Sequence, residues 1–506
     1  MIPSLARPHP ALAYLRARRR RPATWSDRYT RVFGLLVAAA VLGRPVAEAI
    51  AGLARHADPA RLGAGLALVA AAYAGLLVLA RALGPVVLPA ADASWLVTSP
   101  LPRRAVLGRT ALLLLSAAVL AGAALGLTAL SVFGAPDRLG VRLAAALLLG
   151  VAAGVGGMAA AVLGQQSPAS DARLQVLIAG ALSVAVLAAV LGAGPGRRIL
   201  AAVAGAPASM GAAVAGVASL AAALLVRRAW AALPRIPAHR ILAASTRTAR
   251  VTSAATTLDP GTLTWVMEDA HWRGRALRSR PWPRLVSRSG PAPALAWQEW
   301  LRVGRRPGRL AALLGAAALP AVCADATGGA SGPVAGMLLC GALTAAAMCT
   351  GGVRREGGDP ALARMLAVGG RAVTAARAGL PALLAASWAA LALAALQAVG
   401  ALPAGAWWLF GPAVAPALAA GALRMARRRP IDHSMPVIDT PGGAVPTGPL
   451  VWAATGPDLA LLGSLPTLAA IASPPVSVAP YLAAQAAAGA AVLTAYILRS
   501  ARRAPH

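Results

Sequence analysis

The chain has 506 residues, 58% of them hydrophobic and only 13% charged, with a net charge of +32 and a mean hydropathy of +0.67. A soluble domain carries roughly 25% charge, so a water-soluble globule is excluded and many bilayer spans are indicated. Such a positive charge on a soluble protein would suggest nucleic acid. Here all 48 basic residues are arginines gathered at the ends of apolar runs, the pattern of the positive-inside rule, which excludes nucleic acid as partner.

The N-terminus is basic (Arg16, then Arg18 to Arg21) and predicts a short helix lying along the membrane surface. Apolar segments follow at Val32–Leu53, Leu62–Leu88, 110–132, 142–164, 174–193 and 203–226. Asp92-Ala93-Ser94-Trp95-Leu96-Val97-Thr98-Ser99-Pro100-Leu101-Pro102-Arg103-Arg104, then Arg109, form a polar connector after the second segment. Gly122 with Gly126, and Gly150 with Gly154, stand at the spacing that lets helix backbones approach, and predict packing faces.

Residues 227–290 are an arginine-rich linker between two membrane halves, 1–226 and 291–506. The linker predicts mostly irregular chain over 235–290, lying on anionic lipid. A helix over Leu295–Val303 puts Trp297, Trp300 and Leu301 on one face, with Arg302 and Arg305 among headgroups as interfacial anchors. Six more segments follow, near 309–326, 331–350, 374–398, 403–425, 451–472 and 478–498. A second charged connector, with Arg354, Arg355, Glu356, Asp359, Arg364 and Arg371, separates the second and third of these.

The fold expected is therefore all-α: a polytopic helical membrane protein of about twelve transmembrane helices in two parallel six-helix halves. Continuous rather than alternating apolar runs exclude a barrel. Arginine is concentrated in the joints on the side of the N-terminus, which predicts cytoplasmic termini in the cell membrane.

Conventional catalytic chemistry is missing from the sequence. With no lysine anywhere, the chain holds no Walker A loop. Its six histidines are scattered and form no HExxH group, and no GxSxG is present. Neither an enzyme activity nor a cofactor or metal is implied. Cys323, Cys340 and Cys349 lack paired spacing and read as buried free thiols.

Asp92, Trp95-Leu96, Ser99-Pro100 and Arg103-Arg104 resemble the coupling connector of ABC-2-type exporter permeases, where an interfacial helix precedes the first span. Arg355-Glu356, Asp359, Leu362 and Arg371 resemble a second copy that lacks the tryptophan and the Ser-Pro. The chain is also similar over most of its length to an uncharacterised family of actinobacterial multi-pass membrane proteins with two fused six-span halves. The first resemblance implies a permease driven by a separately encoded ATP-binding subunit. Its coupling candidates are Asp92, Trp95, Arg103, Arg104, Arg109, Arg355, Glu356, Asp359 and Arg371. With both halves in one chain, it would face an ATPase dimer as a monomer. The alternatives are a secondary transporter, which calls for buried charge at mid-span, and a membrane scaffold without transport activity.

Overall fold

The computed structural model describes residues 58–192, 194–256, 291–329, 331–358, 369–429, 431–432, 434–440 and 443–500. The expected first span, Val32–Leu53, lies outside them. The protein is a polytopic, almost wholly helical membrane protein. Among the described residues nine helices are long and apolar enough to cross a bilayer, or ten if the bent pair Gly332–Ala347 and Gly351–Gly357 counts as one span. The chain divides into two compact units, Met1–Thr248 and Ala249–His506.

In the first unit α1 (Leu62–Leu83) stops at Gly84, whose φ of +77° a side chain would strain. The expected span to Leu88 is thereby cut short. A seven-residue helix, α2 (Ala90–Leu96), follows Pro89. Then come α3 (Arg103–Phe133), α4 (Leu139–Gln166), α5 (Pro168–Gly192), the short α6 (Arg197–Ala204) and α7 (Ala208–Ala232). Several starts sit on or just after proline (Pro89, Pro102, Pro168, Pro207), whose missing N–H costs nothing where no acceptor exists. After a 3-10 turn at Leu233–Arg235 the chain forms α8 (Ala238–Thr256). This part of the linker is helical, not irregular as the sequence predicts; residues 257–290 lie outside the described set.

α4 is the post of this unit, with α3 and α7 packed along it and α5 beside it, while α1 packs on α5. Small residues make the closest crossings. A Cβ built on Gly122 would sit 2.5 Å from the Gly150 carbonyl oxygen, and one on Gly154 would sit 2.6 Å from that of Ala118. Gly126 and Gly150 meet the facing backbone as closely. The two small-xxx-small motifs therefore face each other, in van der Waals contact that larger side chains would forbid.

After the end of α8, the next described helix of the second unit is α9 (Pro291–Gly304). One kinked span combines α10 (Pro307–Gly315), a 3-10 turn and α11 (Leu319–Thr327), with Pro320 at the junction. α12 (Ser331–Ala347) and α13 (Gly351–Gly358) meet at 67°. α14 (Gly370–Ala398) and α15 (Phe410–Ala426) carry internal prolines, Pro381 and Pro416. α15 is nearly enclosed by α14, α12, the short helix Pro457–Gly463 and the last helix. Trp407 and Phe410 stack at 5.6 Å in its core. A hairpin of β1 (Val437–Thr440) and β2 (Gly443–Pro446) interrupts the helical order.

The expected span at 451–472 is three short helices, α16 (Thr447–Ala454), α17 (Pro457–Gly463) and α18 (Leu465–Ala472). Gly456, at φ +108°, and Pro457 break it once; Ser464 and Pro466 break it again. The final helix is α19 (Ala479–Ser500). From it the buried Gln485 amide donates to the Gly463 carbonyl at 2.6 Å and accepts from the Thr467 N–H and hydroxyl at 3.1 and 2.8 Å. Backbone groups freed by the second break are thus satisfied, as a hydrocarbon surrounding demands.

Candidate functional site

Polar side chains gather around the charged connector of each unit. In the first unit the connector 84–102 is braced from three directions. The Val86 N–H donates to Gln165 Oε1 at 3.0 Å, at the end of α4. The Leu88 N–H donates to Ser245 Oγ of α8 at 3.2 Å, and Arg240 of α8 donates to the Gln165 carbonyl at 3.1 Å. Arg103 donates to the Ile236 carbonyl at 2.7 Å. Beneath these bonds Val86, Leu88, Ala93 and Val97 pack with Val106, Leu107, Leu233, Ile236 and Ile241 in one apolar cluster. Buried polar groups that are fully paired in this way give a rigid element.

The opposite face of the connector presents Trp95. Trp95 is 80% exposed, although an indole is among the most costly side chains to leave in water. Asp92 is half-buried, and Arg104 and Arg109 are exposed on the first turns of α3. At the same end Arg81 makes a two-pronged ion pair with Asp171, at 2.7 and 2.9 Å, tying α1 to α5.

The second unit carries a buried charge cluster at the corresponding connector. Glu299 of α9 and Arg377 of α14 are each only 4% exposed, and they pair directly. Arg377 also pairs with Glu356 of α13. Arg302 reaches Glu299 at 3.1 Å; the sequence placed it among headgroups, but here it turns inward. Gly352 makes room: a Cβ there would lie 2.7 Å from Arg377 Nη1 and collide with the Glu299 carboxylate. Burial pushes the Glu299 carboxyl above its ordinary range, and the guanidiniums of Arg302, Arg377 and Arg355 pull it back. Burial likewise lowers Arg302, against the attraction of Glu299.

Of the remaining predicted residues, Arg355 and Arg371 are exposed, and Asp359 lies outside the described residues. Trp297 and Leu301 are half-buried, and Trp300 and Arg305 are exposed. Glu299 and Arg377 were not among the predicted site residues. The signal was present as an acid three residues before Arg302, the i, i+3 spacing of a helical ion pair.

A family model describes the stretch that holds both connectors, residues 57–436, which is most of the chain. The chain belongs to DUF6297, a family of unknown function. The DUF6297 match opens just before α1 and closes just before the hairpin, so it takes in both connectors and the Glu299–Arg377 cluster. No curated protein and no solved structure matches the chain.

Proposed function

We propose that this DUF6297 chain is the transmembrane permease of an export-type transporter, driven at the cytoplasmic face of the cell membrane by a separately encoded ATP-binding subunit. The observation that carries the reading is the first connector, held rigidly on its inner face and presenting Trp95 on its outer one. A segment stiffly joined to α1, α4 and α8 passes a push from outside to all three, and an exposed indole is the side chain most often found at the centre of a protein contact.

The reading includes twelve spans in two parallel six-helix halves, with both termini cytoplasmic. Its support is that the units repeat the same neighbours in the same order. α3 packs on α4 as α14 packs on α15; α4 takes α7 as α15 takes α19; α1 meets α3 and α4 as α12 meets α14 and α15. Each unit also carries an aspartate–arginine pair in the first turn of a helix, Asp171 of α5 with Arg81 of α1 and Asp458 of α17 with Arg424 of α15. Two halves in one chain would serve an ATPase dimer as a monomer. Trp300 on α9 and Arg305 just after it are exposed and suited to anionic headgroups.

One observation favours a second reading, a secondary transporter. The interrupted α16–α18 span, with Gln485 buried against its break, is the kind of discontinuous helix on which such proteins build sites. Purification of the full chain in mild detergent with an ATPase from its own operon separates the two. Co-elution of the ATPase supports the exporter. Transport by the chain alone in proteoliposomes, with no ATPase bound, supports the other.

A further inference from the structure

We infer that the first unit holds the acyl chain of one membrane phospholipid in a lateral cavity at the end remote from its connector. The cavity measures about 610 Å³ and is lined by α1, α3, α4, α5, α6 and α7, within the range of sites that take a single amphipathic ligand. Its walls are apolar apart from the Tyr73 hydroxyl and Arg142. Both are already engaged: Tyr73 donates to the Ala153 carbonyl at 3.3 Å, and Arg142 holds Asp137 at 2.6 Å and the Ala206 carbonyl at 3.0 Å. Each of these two side chains is thus held by partners within the unit.

The mouth faces outward. Val184 and Leu187 of α5 and Met210 and Val214 of α7 line the cavity, yet each is exposed. It therefore opens between α5 and α7, on the flank that meets lipid in a bilayer. Its depth fits one leaflet. Along α4 the lining runs from Arg142 to Ala153, about 16 Å at about 1.5 Å per residue, half of a ~30 Å hydrocarbon core. The polar rim of Arg138, Asp137 and Arg142 stands at the end where a headgroup would sit. A tail fits this shape and chemistry, and the inference is independent of the ATP-driven reading above.

The test uses the full chain in detergent, with phosphatidylglycerol bearing a diazirine in its acyl chain as the photoprobe. Adducts are expected in the peptides that carry 184–191 and 208–214, and unlabelled phosphatidylglycerol should compete them away. Gly211 lines the cavity, and a Cβ there meets nothing within 4 Å, so Gly211→Leu adds bulk to the cavity wall from an open position. That variant should lose about tenfold in adduct yield, as an overfilled site does. Gly216→Leu, on the same helix with equally open surroundings but outside the cavity, should label as the parent chain does. Absence of adducts, a spread over outward positions such as Val176 and Val217 without competition, or equal yield in Gly211→Leu would each overturn the inference.

Discussion

Arg377 and Glu299 form a buried ion pair between residues 78 apart in sequence, and the same guanidinium also takes Glu356. Three elements, α9, α13 and α14, are thereby locked at one point. The amphipathic α9 is fastened to the third described span of its unit by charge, not only by apolar contact.

Breaking that lock from its centre should be costly. Arg377→Met leaves two carboxylates without their shared cation, and Glu299 is almost fully buried. Loss of about 3–5 kcal/mol is expected, read as a fall in the thermal midpoint of the purified chain in detergent. The double variant Arg377→Met/Glu299→Gln should recover part of it, because the deeper buried charge is gone.

Glu299→Gln alone should be milder, since Arg377 keeps Glu356. It also isolates a pH effect. The Glu299 carboxyl is raised in the folded protein by burial, so the folded state holds that proton more tightly than the unfolded one. Its contribution to stability is then greatest below the ordinary glutamate value and declines as pH rises through the folded value. The stability of the parent chain relative to Glu299→Gln should increase as pH is lowered through the raised folded value towards the ordinary glutamate value. A constant difference, or one of the opposite sign, contradicts this.

Two glycines on neighbouring spans should respond in opposite ways to the same substitution. Gly150→Ala drives a methyl into the Gly122 carbonyl and should cost about 1–3 kcal/mol. Gly180→Ala meets nothing within 4 Å on α5 and should gain up to about 1 kcal/mol from helix propensity. Unfolding of the two variants under one set of detergent conditions gives the comparison.

Much of the frame was legible in the sequence because hydrocarbon permits few solutions. Long apolar runs such as Leu139–Gln166 have to be helices, and the pairs Gly122/Gly126 and Gly150/Gly154 mark a close crossing. Breaks and pairings were less legible. The 451–472 run is apolar enough for a span; its division depends on Gly456 at positive φ and on Gln485 nearby in space, a partner that hydropathy does not identify. The connector brace joins Leu88 to Ser245 across 157 residues, and no local spacing encodes such a bond. Nor does local spacing encode the pairing of Arg81 with Asp171, ninety residues on.

Gln485→Leu tests the division of that span. The Thr467 N–H and the Gly463 carbonyl would lose their side-chain partner in a buried place, at about 1–3 kcal/mol. Faster proteolysis of the 455–475 segment than in the parent chain is the expected readout. Unchanged cleavage would mean that Gln485 does not hold the break.

The proposed function turns on what touches Trp95. Replacing Trp95 with a photoreactive benzoylphenylalanine leaves the braced inner face of the connector intact, because the side chain is exposed. Irradiation of cells that express the chain with its operon ATPase should give a crosslinked species containing both proteins, and its yield should change when ATP is depleted. Adducts to lipid alone, at a yield indifferent to ATP, would contradict the assignment of this connector as the place where an ATP-binding subunit pushes.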